Sequence, residues 1–97
     1  MNRRASIEAA LRHLAPRIPK HEFGAVLDHA LDSPGLQTAG PEAAAWLSLV
    51  AYARHMFTDY DALLIEGYDV ESARHYVLDQ MSSVLTEWGV RRRIADE

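Results

Sequence analysis

The chemically richest stretch of the chain is Arg54-His55-Met56-Phe57-Thr58-Asp59-Tyr60-Asp61, followed by Ala62-Leu63-Leu64 and closed by Gly67. It brings together a guanidinium, an imidazole, a hydroxyl, a phenol and two carboxylates. Three kinds of chemistry are open to such a set. His55 and Asp59 would stand one turn apart on an unbroken helix and could share a metal ion. Asp59 and Asp61 could act as a paired acid and base on a glycosidic or phosphate bond. Arg54 and Arg74, the only lysine or arginine between positions 21 and 90, could clamp an anion.

Each of these has a structural counterpart that uses the same residues without a ligand. Two named ligands fall short of the three or more protein ligands of a transition-metal site, and His75 with Asp79 repeats the spacing no more strongly. Thr58 to Asp61 reads as a variant capping box: the threonine oxygen accepts from the Asp61 amide while the aspartate reaches back to the Thr58 amide. Asp59 and Asp61 are also favourable in a first helical turn through the macrodipole. Arg54 and Arg74 lie close in sequence to a carboxylate-rich segment, and a structural ion pair or a carbonyl clamp joining the third, fourth and last helices accounts for both. Arg54, His55, Thr58, Asp59, Tyr60, Asp61 and Arg74 therefore form a candidate functional cluster, with no catalytic residue, metal or cofactor assigned. No phosphate-cradling glycine loop, nucleophile elbow or zinc-protease motif occurs.

The elements that must position this cluster are helical, since no stretch alternates long enough to argue for a strand. Ser6 is expected to cap a first helix with Ile7, Ala10, Leu11 and Leu14 on one face, ended by Pro16. Pro19 suits the first turn of a second helix striped by Phe23, Val26, Leu27, Ala30 and Leu31. Ser33-Pro34-Gly35 stops it. Gly40-Pro41-Glu42 opens a third helix over 41–57, apolar nearly all round and so expected to be the buried centre. Its alanines, at 43, 44, 45, 51 and 53, would let neighbours approach closely. A short fourth helix through Leu63, Leu64 and Ile65 stops at Gly67, suited to a left-handed cap. Asp69 starts a last helix with Ala73, Tyr76, Val77, Met81, Val84, Leu85 and Trp88 inward, ended by Gly89. The fold class is all-α, a compact bundle of about five helices. Trp46 and Trp88 are core candidates. Tyr52, Tyr60, Tyr68 and Tyr76 read as half-buried packing residues, and His13, His21 and His29 as surface residues.

Ninety-seven residues make a single domain, 1–97, with 1–5 and 90–97 expected as flexible tails. An apolar share of 48% with 25% charged residues is that of a soluble globular protein. Without cysteine there are no disulfides and no thiolate chemistry. The first helix is too interrupted by charge for a signal peptide, and the run from Ala43 to Ala53 is too short for a bilayer. No membrane partner is expected, and a cytoplasmic location follows by default.

The net charge of −4 is unevenly spread. Residues 1–21 carry Arg3, Arg4, Arg12, Arg17 and Lys20 against Glu8, and Arg91-Arg92-Arg93 forms a second basic patch. Residues 59–71 carry Asp59, Asp61, Glu66, Asp69 and Glu71 with no lysine or arginine. Basic patches confined to the termini of an acidic chain disfavour nucleic-acid binding without removing it.

Arg54-His55-x-x-Thr58-Asp59-Tyr60-Asp61-x-Leu63-Leu64-x-x-Gly67, then Ala73-Arg74 and Val84-Leu85-x-x-Trp88, resembles an uncharacterised family of bacteria and fungi, domain of unknown function 2293. The resemblance covers roughly residues 7–89 and is specific from 54 to 88. Val70 departs from it: many members carry an arginine there, which weakens an anion clamp built on the last helix. The resemblance implies no activity. The expected role is an interaction or assembly module with a protein partner or a second copy as a homodimer. The alternatives are a nucleic-acid-associated protein using the basic termini, and a small hydrolase or metal-dependent enzyme around His55, Asp59 and Asp61.

Overall fold

A computed structural model describes residues 2–94. Six α-helices follow one another: α1 (Arg3–Leu14), α2 (Lys20–Asp32), α3 (Pro41–Phe57), α4 (Tyr60–Ile65), α5 (Val70–Tyr76) and α6 (Leu78–Glu87). A 3-10 turn, Pro34–Leu36, sits between α2 and α3. The fold is an all-α bundle with α3 at its centre, packed against α1, α2 and α6. Ala44, Ala45 and Ala53 are wholly buried, as their small side chains allow when helices approach closely, and Trp46, Leu49 and Val50 fill the space around them. Ile7 and Leu11 of α1, Val26 of α2, and Met81 and Leu85 of α6 complete one core. Each fully buried Leu or Ile stabilises such a core by about 1.5–3 kcal/mol.

The sixth helix arises from a break inside the expected last one. At Val77 the backbone turns to φ −97°, ψ 6°, although Ala73, Val77, Met81 and Leu85 keep an unbroken buried stripe through the bend. The stripe bends without losing contact because Val77 itself stays inside. Tyr76, expected on the core face, is instead 63% exposed and meets Tyr68 edge-to-face at 5.4 Å.

The first helix also begins earlier than expected. Asn2, not Ser6, is the cap, its side chain accepting from the Ala5 amide at 2.8 Å. The extra turn brings Arg3 into the helix, where its guanidinium donates to the carbonyls of Ala39 and Leu36 at 2.8 and 2.7 Å. Arg3 thus ties α1 to the connection before α3, a role a free tail could not fill. At the other end Val90 is buried, and Arg92 stacks over the Trp46 ring at 4.3 Å. Of the expected tails, then, 3–5 are helical and part of 90–94 is packed; residues 1 and 95–97 lie outside the described residues.

Two glycines end helices in the left-handed region, Gly67 at φ 103° and Gly89 at φ 88°, as the sequence predicts. No helix among the described residues is long and apolar enough to cross a membrane.

Candidate functional site

The corner between α3 and α4 holds the cluster, and its wiring differs from a capping box. Thr58 leaves the helix with extended backbone, and its hydroxyl donates to the Arg54 carbonyl one turn back. The same oxygen accepts from the Tyr60 amide at 3.2 Å, not from Asp61. That oxygen satisfies one of the orphan groups at each helix end, so the threonine is a splice between α3 and α4.

Released from a capping role, Asp61 reaches His55 instead. Its Oδ1 lies 2.6 Å from His55 Nδ1. An ionised carboxylate can only accept, so Nδ1 carries the proton of this bond. The arrangement orients an imidazole much as a carboxylate does in a hydrolase. Yet the nearby Thr58 hydroxyl is no free nucleophile, because it is committed to the Arg54 carbonyl. The two side chains are also 50% and 56% exposed, open to water rather than enclosed. His55 meets the edge of Tyr60 at 5.4 Å.

Asp59 turns away from both. Its carboxylate accepts from Gln80 Nε2 at 3.0 Å while its amide donates to Gln80 Oε1 at 3.1 Å, locking the start of α4 to α6. His55 and Asp59 therefore do not converge, and Asp59 and Asp61 engage different partners. Among the described residues no group of three metal-ligating side chains exists.

Arg54 is buried, with its guanidinium 5.6 Å over the Tyr60 ring, itself nearly fully buried. Arg54 and Tyr60 thus form the inner layer of the corner, and His55 with Asp61 the outer one. Arg74 lies on α5 and makes no ion pair among the described residues, so the expected link to the acidic segment is not formed there. It lines an open depression of about 580 Å³ with Asp69, Glu71 and His75. Asp69 caps α5 by accepting from the Ser72 amide at 2.7 Å, and that bond holds its carboxyl below the ordinary aspartate pKa.

Tyr52 points from α3 to α2 and donates to Glu22 at 3.1 Å. Burial, then the hydrogen bond to Glu22 and its charge, push the Tyr52 phenol above its ordinary pKa. His29, exposed as expected, bonds the fully buried Ser48 hydroxyl at 3.1 Å.

Two surfaces emerge that single residues do not announce. On the α4–α5 hairpin a groove of about 280 Å³ is lined by Asp59, Leu63, Tyr68, Tyr76, Val77 and Gln80. Ile65, Tyr68, Val70 and Tyr76 are exposed on the same hairpin. At the other end of α6, the α1–α2 connection meets the C-terminal segment. The Arg17 amide donates to the Trp88 carbonyl at 2.9 Å, and its guanidinium to Thr86 at 3.1 Å. Gly89 permits this approach, since a Cβ there would stand 2.9 Å from Pro16 Cγ.

No curated protein and no solved structure matches the chain. The family model for the uncharacterised conserved protein DUF2293 matches residues 10–89, which contain the α3–α4 corner and both surfaces up to Gly89. The chain belongs to the DUF2293 family.

Proposed function

We propose that this domain is a protein-interaction module whose α4–α5 hairpin receives a basic, apolar-anchored segment of a partner protein. The observation that carries the reading is the coincidence of an exposed apolar patch with an unneutralised acidic one. Ile65 is 88% exposed, and Tyr68, Val70 and Tyr76 are 41%, 49% and 63% exposed. Scattered apolar residues need no explanation, but four within one short hairpin beside a groove favour a partner. Asp59, Asp61, Glu66, Asp69 and Glu71 surround them in sequence. Among the described residues only Asp61 of these is paired with a basic group, His55. A partner bearing one aromatic or aliphatic anchor flanked by lysine or arginine complements both properties. A groove of only about 280 Å³ fits a weak, transient interface.

The test is an NMR titration of the 15N-labelled chain with a lysine- and leucine-rich amphipathic peptide, and with its glutamate-substituted counterpart. Shifts confined to residues 59–80 with the basic peptide, and lost in a Tyr68→Ser/Tyr76→Ser variant, support the reading. Shifts spread over the whole chain, or equal binding of the acidic peptide, overturn it. Concentration-dependent dimerisation through the same residues would make a second copy the occupant and also overturn the choice of a basic partner.

A further inference from the structure

We propose that the cleft formed by Arg17, Arg91 and Arg92 is a binding site for the phosphate backbone of a nucleic acid. Two adjoining depressions, of about 410 and 610 Å³, share Arg91 and Arg92. His13, Arg17 and Gly89 belong to the first, and Arg93 and Thr86 to the second. Among the described residues no carboxylate lines either one. Four arginines are thereby gathered from two segments some seventy positions apart. In the sequence, Asp96 and Glu97 follow, two negative charges against those four positive ones.

Two of the arginines, Arg17 and Arg92, are held rather than loose. Arg17 spends one N–H on the Thr86 carbonyl, leaving the rest of its planar donor set available. Arg92 lies with its guanidinium carbon 4.3 Å from the Trp46 ring centre. Stacking occupies the face of a guanidinium and leaves its in-plane N–H groups for phosphate oxygens. Gly89 keeps the floor low: a Cβ there would stand 3.3 Å from Arg17 Nη1. Such pre-ordering reduces the side-chain entropy lost on binding.

The spread of four arginines over two adjoining depressions favours an extended polyanion over a single phosphate. The nearest carboxylate of α6, Glu87 beside Thr86, lines neither depression, and the rest of the acidic surface lies further off. The acidic hairpin leads into the start of α6, whereas Arg17 is fastened at its end, and ten helical residues span about 15 Å. That exceeds the screening length of about 8–10 Å at ordinary salt. The basic patch differs from the termini as read in sequence, because Arg3 is turned inward to carbonyls while Arg17 joins Arg91 and Arg92.

Fluorescence anisotropy with a labelled duplex and a labelled single strand, each titrated with the full chain over a range of salt, tests this. For three neutralised phosphates, log K should fall with log salt at a slope of about −3 on duplex and about −2 on single strand. Arg17→Gln/Arg91→Gln/Arg92→Gln should weaken binding at least about tenfold and flatten the slope. Arg91→Gln/Arg93→Gln removes two side chains that bond nothing among the described residues, so it reports on binding without disturbing the fold. It should reduce the affinity and the slope as well. Arg4→Gln/Arg12→Gln, on the outer face of α1, should leave both unchanged. Absence of binding at low salt overturns the proposal, as does equal loss in the Arg4/Arg12 variant. Displacement by millimolar inorganic phosphate would indicate a small-anion site and overturn it too, and so would oligo-glutamate binding as tightly as the oligonucleotide.

Discussion

Substitution of Gly89 by alanine separates two costs that the structure assigns to the end of α6. Gly89 sits at φ 88°, where an L-residue brings its Cβ against its own carbonyl, at about 1–2 kcal/mol. The added methyl would also stand 2.9 and 3.1 Å from Pro16 Cγ and Cδ and 3.3 Å from Arg17 Nη1. The proline ring cannot swing aside, so the α1–α2 connection must shift, at about 1–3 kcal/mol for an overpacked contact. Together Gly89→Ala should cost about 2–5 kcal/mol. Gly67 is the control: it has φ 103° and open space within 4 Å of where a methyl would stand, so Gly67→Ala carries only the backbone cost of about 1–2 kcal/mol. Gly24 is the opposite control. It lies inside α2 with nothing within 4 Å, and Gly24→Ala should stabilise by about 0.5–1 kcal/mol. Urea unfolding at constant m reads all three, with about 4–8 °C in Tm for each kcal/mol. Equal losses at Gly67 and Gly89 would refute the contact with Pro16, and a neutral Gly67→Ala would refute the left-handed turn itself.

Asp69→Ala should lower Tm at neutral pH by removing the α5 cap. Asp69 titrates below the ordinary value when folded, so its stabilisation is present above the unfolded pKa and lost as pH falls through the folded one; carboxyl NMR against pH checks both. Tyr52 should ionise above the ordinary phenol pKa of about 10. Its stabilisation is whole below the unfolded pKa and lost as pH rises through the folded one, and Glu22→Gln should bring the ultraviolet-monitored midpoint down. Asp61→Asn should change stability by less than about 1 kcal/mol, because the pair with His55 is half exposed; a loss above twice that in thermal unfolding would assign the pair a structural role.

The buried centre was legible because α3 carries its own boundaries: Gly40 and Pro41 begin it, and Thr58 breaks it. The left-handed ends at Gly67 and Gly89 were legible for the same reason, since few other residues adopt that conformation cheaply. The bend at Val77 was hidden, because no glycine or proline marks it and the buried stripe runs straight through. The cap of α1 is ambiguous in sequence because Asn2 and Ser6 are both competent, and the tertiary bonds of Arg3 to the Leu36 and Ala39 carbonyls favour the longer helix. At the α3–α4 corner the spacing marks the residues that interact but not their partners. Thr58 found its acceptor one turn back on Arg54, and Asp61 found His55 across the corner. The meeting of Arg17 with Arg91 and Arg92 leaves no trace in spacing at all, because it depends on where the last turn returns.

The bond from the Arg17 amide to the Trp88 carbonyl closes everything from α2 to the end of α6 into one loop. Closure over so long a span costs little more entropy than over half of it, but it comes only after the intervening helices have docked. The arginine cleft is therefore a property of the finished fold, absent from any half-assembled state. A ligand that needs Arg17 beside Arg91 and Arg92 prefers the native chain and raises its stability by up to RT ln(1 + [L]/Kd), less the affinity that the contiguous Arg91-Arg92-Arg93 keeps when unfolded. Occupancy of the cleft and completion of folding are thus linked equilibria.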